Sequence, residues 1–585
     1  MFVVMGIGAD DIFVLFDKFE QAAQKMPHDA DVFDLACEAI PSASYAMLLT
    51  SLTTAGAFFS TAVTPVAPIR MFAIFLGLMT VFDYIFVILI CAPAMVMQLY
   101  WVRGINAKGP HAGRYLKLNL LDFSQYACRR SKEAKKDTIT QVVLVAFAKA
   151  MAYLRYILVP GLIAVFAYFT TVALDIPMPK SSEVQLFPDN NQFTKYNNWK
   201  NDLYEKHGAE TSWVRVIWGL RPGDTGNLND PTSKSNVILD SSFDMTQPSA
   251  QTWMLEFCEE VVKQDFATGT ADCTIRDFDD WLRNLNTQQG ALSLPLPADD
   301  FTKYLVQWRS YRQGRQRDIG LMSEVLADRE ANDGEYHTTP YDPNTAASED
   351  IAYFVMAFEA TVKWNDPYHK LKSQYYAWSS FIEGEKAKAP GGINAFFFIS
   401  DDFHWWDTNR QMKNSAYLSA LLSVAVATAV IFVSNGNVLL TLNSVVSIFC
   451  ILVTVAATAV ALGWELGFLE AICFAILVGL ACDFIVHIAH AYKESDKGTR
   501  RDKCMDAVWM MGPPVMYAAL STSLAGSLLF NCTILFYMKF GAILLFTMAY
   551  SFLMTFVFLV PLLCIVGPTG KWANVYALFG ASEGN

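Results

Sequence analysis

The sequence predicts a polytopic α-helical membrane protein of about nine transmembrane helices, with a pseudo-two-fold repeat and one large extracellular or luminal α+β domain. Three observations predict this fold class. Hydrophobic residues make up 53% of the 585 residues and charged residues 17%, which is more apolar than an average soluble protein. The apolar and polar stretches occupy separate parts of the chain, and two of the apolar parts resemble each other.

Nine apolar runs are long enough to cross a bilayer, which takes about 20 helical residues. The chain opens inside the first run with no flank or cap before it, so we expect a preceding part to be missing. The runs lie near 1–19, 44–64, 71–98, 154–174, 415–434, 438–462, 467–492, 513–535 and 538–567.

The stretch 176–413 is polar and contains no such run, and it is long enough to form its own core. It holds 35 acidic and 23 basic residues, and this excess equals the net charge of −12 of the whole chain. Because the charge is acidic, we expect no nucleic-acid partner. The predicted β-rich runs are Val214–Trp218, Val237–Leu239 and Ala395–Ile399, and the predicted helical stretches are 251–264, 346–363 and 371–388.

Basic residues predict the orientation of the chain in the membrane. The stretch 102–155 holds 11 Lys and Arg against 3 acidic residues, and the loop 493–503 is basic as well. Loops rich in Lys and Arg stay in the cytoplasm, so we expect the polar block to be luminal or extracellular.

These patterns divide the chain into six parts. They are membrane helices in 1–101, a basic cytoplasmic linker in 102–153, one transmembrane helix in 154–175, the extracellular or luminal α+β domain in 176–413, further transmembrane helices in 414–568, and a cytoplasmic tail in 569–585.

The cysteines predict at most one disulfide. Most of the eleven lie in or beside apolar runs, and only Cys258 and Cys273 fall in the polar block, so a disulfide between these two is expected. No Cys/His spacing is typical of a zinc site, and no motif is typical of a nucleophile triad or a phosphate loop. We therefore expect no enzyme activity, no resident metal and no cofactor beyond a coupling ion.

Three carboxylates lie in the middle of apolar helices: Asp10 and Asp11 in the first run, and Asp483 in another. An ionised carboxylate at the bilayer centre costs roughly 2.5–3.5 kcal/mol on insertion scales, so such residues face a bundle interior and usually serve a function. If these helices pack together, three close carboxylates cannot all ionise without a cation. The pattern therefore predicts an ion-coupling site for H⁺ or Na⁺; a structural buried pair is the alternative for Asp10 and Asp11.

Two histidines lie on the same face of the predicted helix as Asp483, because residues at i, i+4 and i+7 of a helix share a face. His487 either joins the ion site or forms a hydrogen bond within the bundle, whereas His490 and Asp17 lie near the cytoplasmic ends and are expected to be solvated. Gly6, Gly8 and Gly479 would allow the helices to approach closely and would support the ion site.

Further polar residues of the apolar runs leave two interpretations each. Asp83 either joins the ion relay or reaches into a cavity of the bundle, and Glu470 is an entry residue or an interface residue. The hydroxyls of 50–54 and 521–523 could bind Na⁺, but hydroxyls in membrane helices more often bond a backbone carbonyl. The aromatics of 403–406 form an interfacial belt or belong to the core of the polar block.

An internal repeat relates 6–98 to 479–566. The alignment pairs Asp10 with Asp483 and Pro93 with Pro561, and the Ser/Thr-rich patches that precede Gly56 and Gly526 also correspond. Two equivalent three-helix units imply a pseudo-two-fold bundle. Transporters are commonly built from such repeats, with the ion site near the repeat interface.

At these motifs the chain resembles the resistance-nodulation-division superfamily, and within it the Patched and Dispatched group. Gly6-Ile-Gly-Ala-Asp10-Asp11 is similar to the Gly-x-x-x-Asp-Asp motif of that group's fourth helix. The tenth-helix motif is matched by Gly479-Leu-Ala-Cys-Asp483-Phe-Ile-Val-His487, and the Asp in it looks more like Dispatched than Patched. The segments 213–224 and 273–281 look like parts of a Dispatched-type second ectodomain.

The resemblance implies that the chain holds helices four to twelve of the family and its second ectodomain, with the end of a sterol-sensing bundle in 1–101. It also implies an Na⁺- or H⁺-coupled transporter in the plasma membrane or an endomembrane. The cargo would be a sterol, another membrane lipid or a lipid-modified protein. A non-transporting sterol-sensing receptor of the same fold is the alternative, and the oligomeric state stays open.

Overall fold

The computed structural model describes residues 2–25, 32–107, 139–179, 185–199, 211–223, 226–227, 233, 237–285, 292–311, 318–321, 350–363 and 366–569. Most of the predicted basic linker, nearly all of the predicted tail and the start of the helix predicted at 346–363 lie outside these residues. The chain divides into two compact units. The first comprises Met1–Met178, Gln185–Thr194 and Gln411–Asn585, and the second comprises Pro179–Val184 and Lys195–Arg410.

The first unit is helical. Its helices are α1 (Phe2–Lys25), α2 (Val32–Thr61), α3 (Ala67–Phe86), α4 (Ala92–Ala107) and α5 (Ile139–Leu174), followed after the second unit by α11 (Phe403–Asn435, shared with that unit), α12 (Val438–Ala461), α13 (Phe468–Glu494), α14 (Arg500–Leu528), α15 (Leu535–Met554) and α16 (Val560–Val566). A short helix, α6 (Gln192–Trp199), lies where the two units join along the chain.

Seven helical stretches among the described residues are long and apolar enough to cross a membrane. All nine predicted runs are helical, but α1 and α14 are not among these seven, and the number of nine spans stays a prediction. The most enclosed of the seven is α13, in which 94% of the most apolar 18-residue stretch is buried. This central helix carries Asp483.

The internal repeat is visible in the helix bounds. Helices α3 and α15 are related by a shift of 468 residues at both ends, and each is followed by a five-residue π-helical segment, Val87–Cys91 and Thr555–Leu559, with the same shift. Pro93 and Pro561 follow these segments by two residues. Proline lacks an N–H, and its ring clashes with the carbonyl four residues earlier. A wider π turn relieves this clash, so the equivalent proline accounts for the π-helical segment in both repeats.

The second unit is built on an antiparallel sheet of β1 (Thr211–Trp218), β2 (Ala267–Asp272), β3 (Ile319–Leu321), β4 (Ile351–Lys363) and β5 (Phe396–Ile399). The strand order is β2-β4-β1-β5, and β3 also pairs with β4. Helices α7 (Pro248–Val262), α8 (Thr274–Arg283), α9 (Ala298–Tyr311) and α10 (Tyr368–Lys386) complete the unit. Cys258 of α7 and Cys273, next to the start of α8, form a disulfide.

Two local predictions in the second unit are wrong. The stretch predicted as a helix at 346–363 is the central strand β4 where it is described, because its alternate residues Phe354, Met356 and Phe358 are fully buried on one face of the sheet. The residues between them are apolar as well, so the sequence does not show the alternation of apolar and polar residues that is typical of a strand. The β-run at Val237–Leu239 forms only an isolated bridge, between Leu239 and Leu220.

Helix α11 begins at Phe403, twelve residues before the predicted run. Its first turn therefore contains the aromatics of 403–406. Phe403 and Trp406 are buried in the core of the second unit, and the Trp406 ring lies 4.3 Å from that of Tyr375. Of the two interpretations, the structure favours a place in this core for these two residues.

Candidate functional site: a buried carboxylate cavity

Four carboxylates line one cavity of about 30 Å³ within the first unit. Asp10 and Asp11 come from α1, Asp83 from α3 and Asp483 from α13. One water needs roughly 10–15 Å³ of such space, so the cavity has room for water or a small cation. The other lining residues are Val14, Thr50, Ser51, Thr54, Thr80, Phe484, His487, Pro514, Val515 and Ala518.

Hydroxyl groups hold three of the carboxylates. Ser51 Oγ donates to Asp11 Oδ2 at 3.3 Å and Thr54 Oγ1 donates to Asp483 Oδ1 at 3.0 Å, both from α2. Thr522 Oγ1 of α14 donates to Asp10 Oδ1 at 3.3 Å. Hydrogen bonds to a charged acceptor are stronger than those between neutral groups, so these contacts orient the carboxylates.

Two of these hydrogen bonds are reciprocal between the repeats. Thr54 lies on the second helix of the first repeat and bonds the first helix of the second repeat, at Asp483. Thr522 lies on the second helix of the second repeat and bonds the first helix of the first repeat, at Asp10. Each repeat therefore positions the carboxylate of the other, and the cavity is a shared site.

The described residues that line the cavity include no Lys or Arg that would neutralise the negative charge of its carboxylates. Like charges at close range in a medium of low dielectric repel strongly. This arrangement favours protons or a bound cation among the four carboxylates.

Asp83 makes the two repeats chemically different. A Cβ on Gly8 would lie 2.5 Å from Asp83 Oδ1, so the glycine leaves the space that this carboxylate occupies. The shift of 468 relates Asp83 to Ser551, whose hydroxyl donates to the Ala481 carbonyl at 3.3 Å. Ala481 stands two residues before Asp483, as Gly8 stands two before Asp10. The first repeat thus adds a carboxylate where the second has a hydroxyl.

The predicted ion-coupling residues meet in this cavity: Asp10, Asp11, Asp483 and His487 all line it. His487 is only 7% exposed. A Cβ on Gly479 would lie 3.4 Å from Thr54 Cα, which is ordinary packing of α13 on α2. Gly6 lies in α1.

His490 is not solvated as predicted. It is 6% exposed, its Nε2 lies 3.2 Å from Glu494 Oε1, and its ring lies 5.5 Å from that of Tyr45. The prediction is wrong because α13 is enclosed by other helices almost to its end. Asp17 is half-buried and accepts a hydrogen bond from Gln21 Nε2 at 2.5 Å.

Glu470 is buried and forms an ion pair with Lys539 of α15. Of the two interpretations, this contact favours the interface residue. The pair lies at the start of α13, far along that helix from Asp483.

The Ser/Thr patches divide between the two predicted roles. Thr50 and Thr53 donate to backbone carbonyls of α2, as is usual in membrane helices. Ser51, Thr54 and Thr522 instead donate to the carboxylates, and the sequence singled out none of them individually. The signal was their helical phase, since Ser51 and Thr54 are three residues apart and share a face.

Comparison with known proteins gives matches over nearly the whole chain. The Patched family model, described as Patched SSD, matches residues 1–97. Protein dispatched homolog 1 of Mus musculus is 27% identical over 593 residues, which cover 98% of this chain and 38% of that protein. Protein dispatched of Drosophila melanogaster is 23% identical and is covered over 50% of its length. The chain therefore spans half or less of these two relatives.

A solved structure shares the fold. The cryo-EM structure of the hedgehog release protein Disp from the water bear Hypsibius dujardini superposes with a TM-score of 0.67 at 21% identity, over 97% of this chain and 63% of that chain. The predicted resemblance is confirmed by these matches, together with the apolar helices. The chain is an integral, multi-pass membrane protein that is similar to proteins of the Patched and Dispatched group.

Proposed function

We propose that the chain is an ion-coupled membrane transporter that uses Na⁺ or H⁺ to move a sterol, another lipid or a lipid-modified protein. The carboxylate cavity carries this proposal, because four acidic side chains meet between the two repeats and the described residues of the lining include no Lys or Arg. A purely structural core has no need for such a costly arrangement.

The reciprocal hydrogen bonds suggest how ion binding would act on the bundle. A proton or Na⁺ at Asp10 or Asp483 competes for the oxygen that Thr522 or Thr54 contacts. Since these bonds join the repeats, a change in occupancy changes the relative stability of two packings of one repeat against the other. Such a bias is what couples an ion gradient to movement of a cargo.

The proposed cargo rests on the relatives. The water-bear structure is that of a hedgehog release protein, so a lipid-modified protein is the cargo class that this likeness favours. We extend that class, as well as free sterol, to this chain as part of the proposal.

A sterol-sensing receptor without transport is the second candidate. The match of residues 1–97 to the Patched SSD model favours it. The complete set of carboxylates favours transport, because a sensor of sterol does not need an ion site.

The test is sterol movement by the reconstituted chain in liposomes, under an imposed Na⁺ gradient or pH gradient. We expect gradient-dependent movement that is lost in each of Asp10→Asn, Asp11→Asn and Asp483→Asn. Asp299→Asn changes an exposed acid of α9 in the second unit and is the matched control.

The gradient that drives movement identifies the ion. Sterol binding without gradient-dependent movement, and unaffected by the three substitutions in the cavity, would contradict transport and support the receptor.

A further inference from the structure

Titratable side chains continue beyond the cavity along one face of α13. Asp483, His487, His490 and Glu494 are spaced by four, three and four residues and therefore share a face. The first three are buried, whereas the Glu494 side chain is 43% exposed. This stripe runs from the cavity to this exposed side chain over about 16 Å of helix, at about 1.5 Å per residue.

The contacts of His490 suit a relay. Its Nε2 lies 3.2 Å from Glu494 Oε1. Its other ring nitrogen, Nδ1, is buried and has no hydrogen-bond partner among the described residues. A buried polar atom without a partner is costly, and such an atom calls for a functional explanation. On the cavity side, His487 lines the carboxylate site itself.

Groups from neighbouring helices face this stripe. Lys18 of α1 is buried and its Nζ lies 3.8 Å from Glu494 Oε2, and the Tyr45 ring of α2 contacts His490. Asp17 of α1 is bonded to Gln21. Attraction between Lys18 and the Glu494 carboxylate keeps that carboxylate at the exposed end of the stripe, next to His490.

We propose that His487, His490 and Glu494 form the path by which the cavity exchanges protons with solvent at the C-terminal end of α13. The inference rests on the proposed ion-coupled function and deepens it. It names the proton as an ion that the cavity releases, at the end that the basic loop 493–503 predicts to be cytoplasmic.

The transfer balances at each step. A proton leaves a carboxylic acid of the cavity and binds one nitrogen of His487, whose other nitrogen releases a proton toward Nδ1 of His490. His490 then releases one from Nε2 to the Glu494 carboxylate, which passes it to water. Each imidazole gains one proton and loses one, so its charge is unchanged but its remaining proton has moved to the other ring nitrogen. Rotation of the ring restores the starting tautomer before the next transfer, and the carboxylate in the cavity is left in its ionised form.

The test measures proton movement by the full reconstituted chain, with a pH-sensitive dye inside the liposomes and an imposed pH gradient. We expect His490→Phe, which keeps a ring of similar size but carries no proton, to slow this movement at least tenfold. We expect Glu494→Gln to slow it as well. His369→Phe, at an exposed position of α10, should leave it unchanged.

A second variant separates proton transfer from packing. His490→Gln retains a hydrogen-bonding group but cannot relay a proton, so slow movement with an unchanged thermal unfolding midpoint supports the path. Wild-type speed in His490→Phe, with movement abolished in Asp483→Asn, would overturn the path and leave the proposed function standing. Movement that persists in both variants overturns both proposals, and a wild-type chain that moves Na⁺ but no protons overturns the path.

Discussion

At the scale of single residues, the site depends on which atom each hydroxyl of α2 contacts. Thr53 and Thr54 are neighbours and both are buried, but their hydroxyls donate to different kinds of acceptor. Thr53 bonds the carbonyls of Leu49 and Thr50, and Thr54 bonds the Asp483 carboxylate. Successive side chains of a helix are about 100° apart around its axis, so the two leave α2 in different directions and the Thr54 hydroxyl reaches the Asp483 carboxylate of α13.

We predict that Thr54→Val raises the apparent affinity of transport for the coupling ion by roughly tenfold or more. A hydrogen bond to a charged group contributes about 1.5–3 kcal/mol, and each 1.4 kcal/mol is about tenfold in affinity. The physical reason is the loss of the donor that competes with the ion for Asp483 Oδ1. Ion-concentration curves of transport in liposomes measure the change.

Thr53→Val is the matched control, with the same substitution one residue earlier, and it should leave the apparent ion affinity unchanged. Equal effects of the two substitutions would show that general packing of α2, rather than the bond to Asp483, is responsible.

We predict that Gly8→Ala impairs ion-driven transport, because the new methyl group would lie 2.5 Å from Asp83 Oδ1 and displace the carboxylate. No charge is removed by this change, so the loss would report on position alone. Transport rates and the thermal unfolding midpoint of the purified chain measure the two effects.

Gly161→Ala in α5 is the control for helix propensity, since a Cβ there meets nothing within 4 Å. It should preserve transport and raise the free energy of unfolding by up to about 1 kcal/mol. Full transport by Gly8→Ala would contradict a role for the close approach of Gly8 and Asp83.

At the scale of secondary-structure elements, one acidic side chain joins three strands of the second unit. Glu359 of β4 accepts hydrogen bonds from Thr211 of β1 and from Thr268 of β2. The bond from Thr211, followed by that from Thr268, lowers the pKa of Glu359 below its usual value. The ionised carboxylate therefore stabilises the sheet.

We predict that this contribution is present above roughly pH 4.3, the usual pKa of glutamate in an unfolded chain, and is lost as the pH falls through the lower pKa of the folded state. Glu359→Gln should lower the thermal unfolding midpoint at pH 7, and its difference from wild type should shrink toward pH 3. Melting curves of the purified chain over this pH range provide the measurement.

Glu383→Gln, at an exposed position of α10 where the acid pairs with Lys386, is the control and should change the midpoint little. A difference between Glu359→Gln and wild type that stays constant from pH 7 to pH 3 would contradict the prediction.

Prediction of the elements from the sequence succeeded where the local pattern of apolar residues was unambiguous. The apolar runs are helices, and the predicted β-rich run Val214–Trp218 lies in β1. It failed at β4, since a strand in the middle of a sheet is apolar along most of its length and lacks the simple polar alternation. It failed at His490 because burial near the end of a helix depends on the neighbouring helices.

At the scale of the whole molecule, the repeat gives the cavity both its symmetry and its asymmetry. Equivalent helices bring Asp10 and Asp483 to one place, and Thr54 and Thr522 hold them in reciprocal fashion. Asp83 breaks the symmetry, because its equivalent is Ser551. A site with unequal halves can favour one repeat for ion binding.

The sequence by itself determined the helical membrane class, the repeat and the identity of the main carboxylates, because apolar length, a buried charge and an internal alignment are local properties of the chain. Only the tertiary structure decided which hydroxyls bond those carboxylates, that Asp83 joins them and that His490 is buried. Each of these depends on the rotation of one helix against another. Such contacts join residues as far apart as Thr522 and Asp10, and no local pattern encodes them.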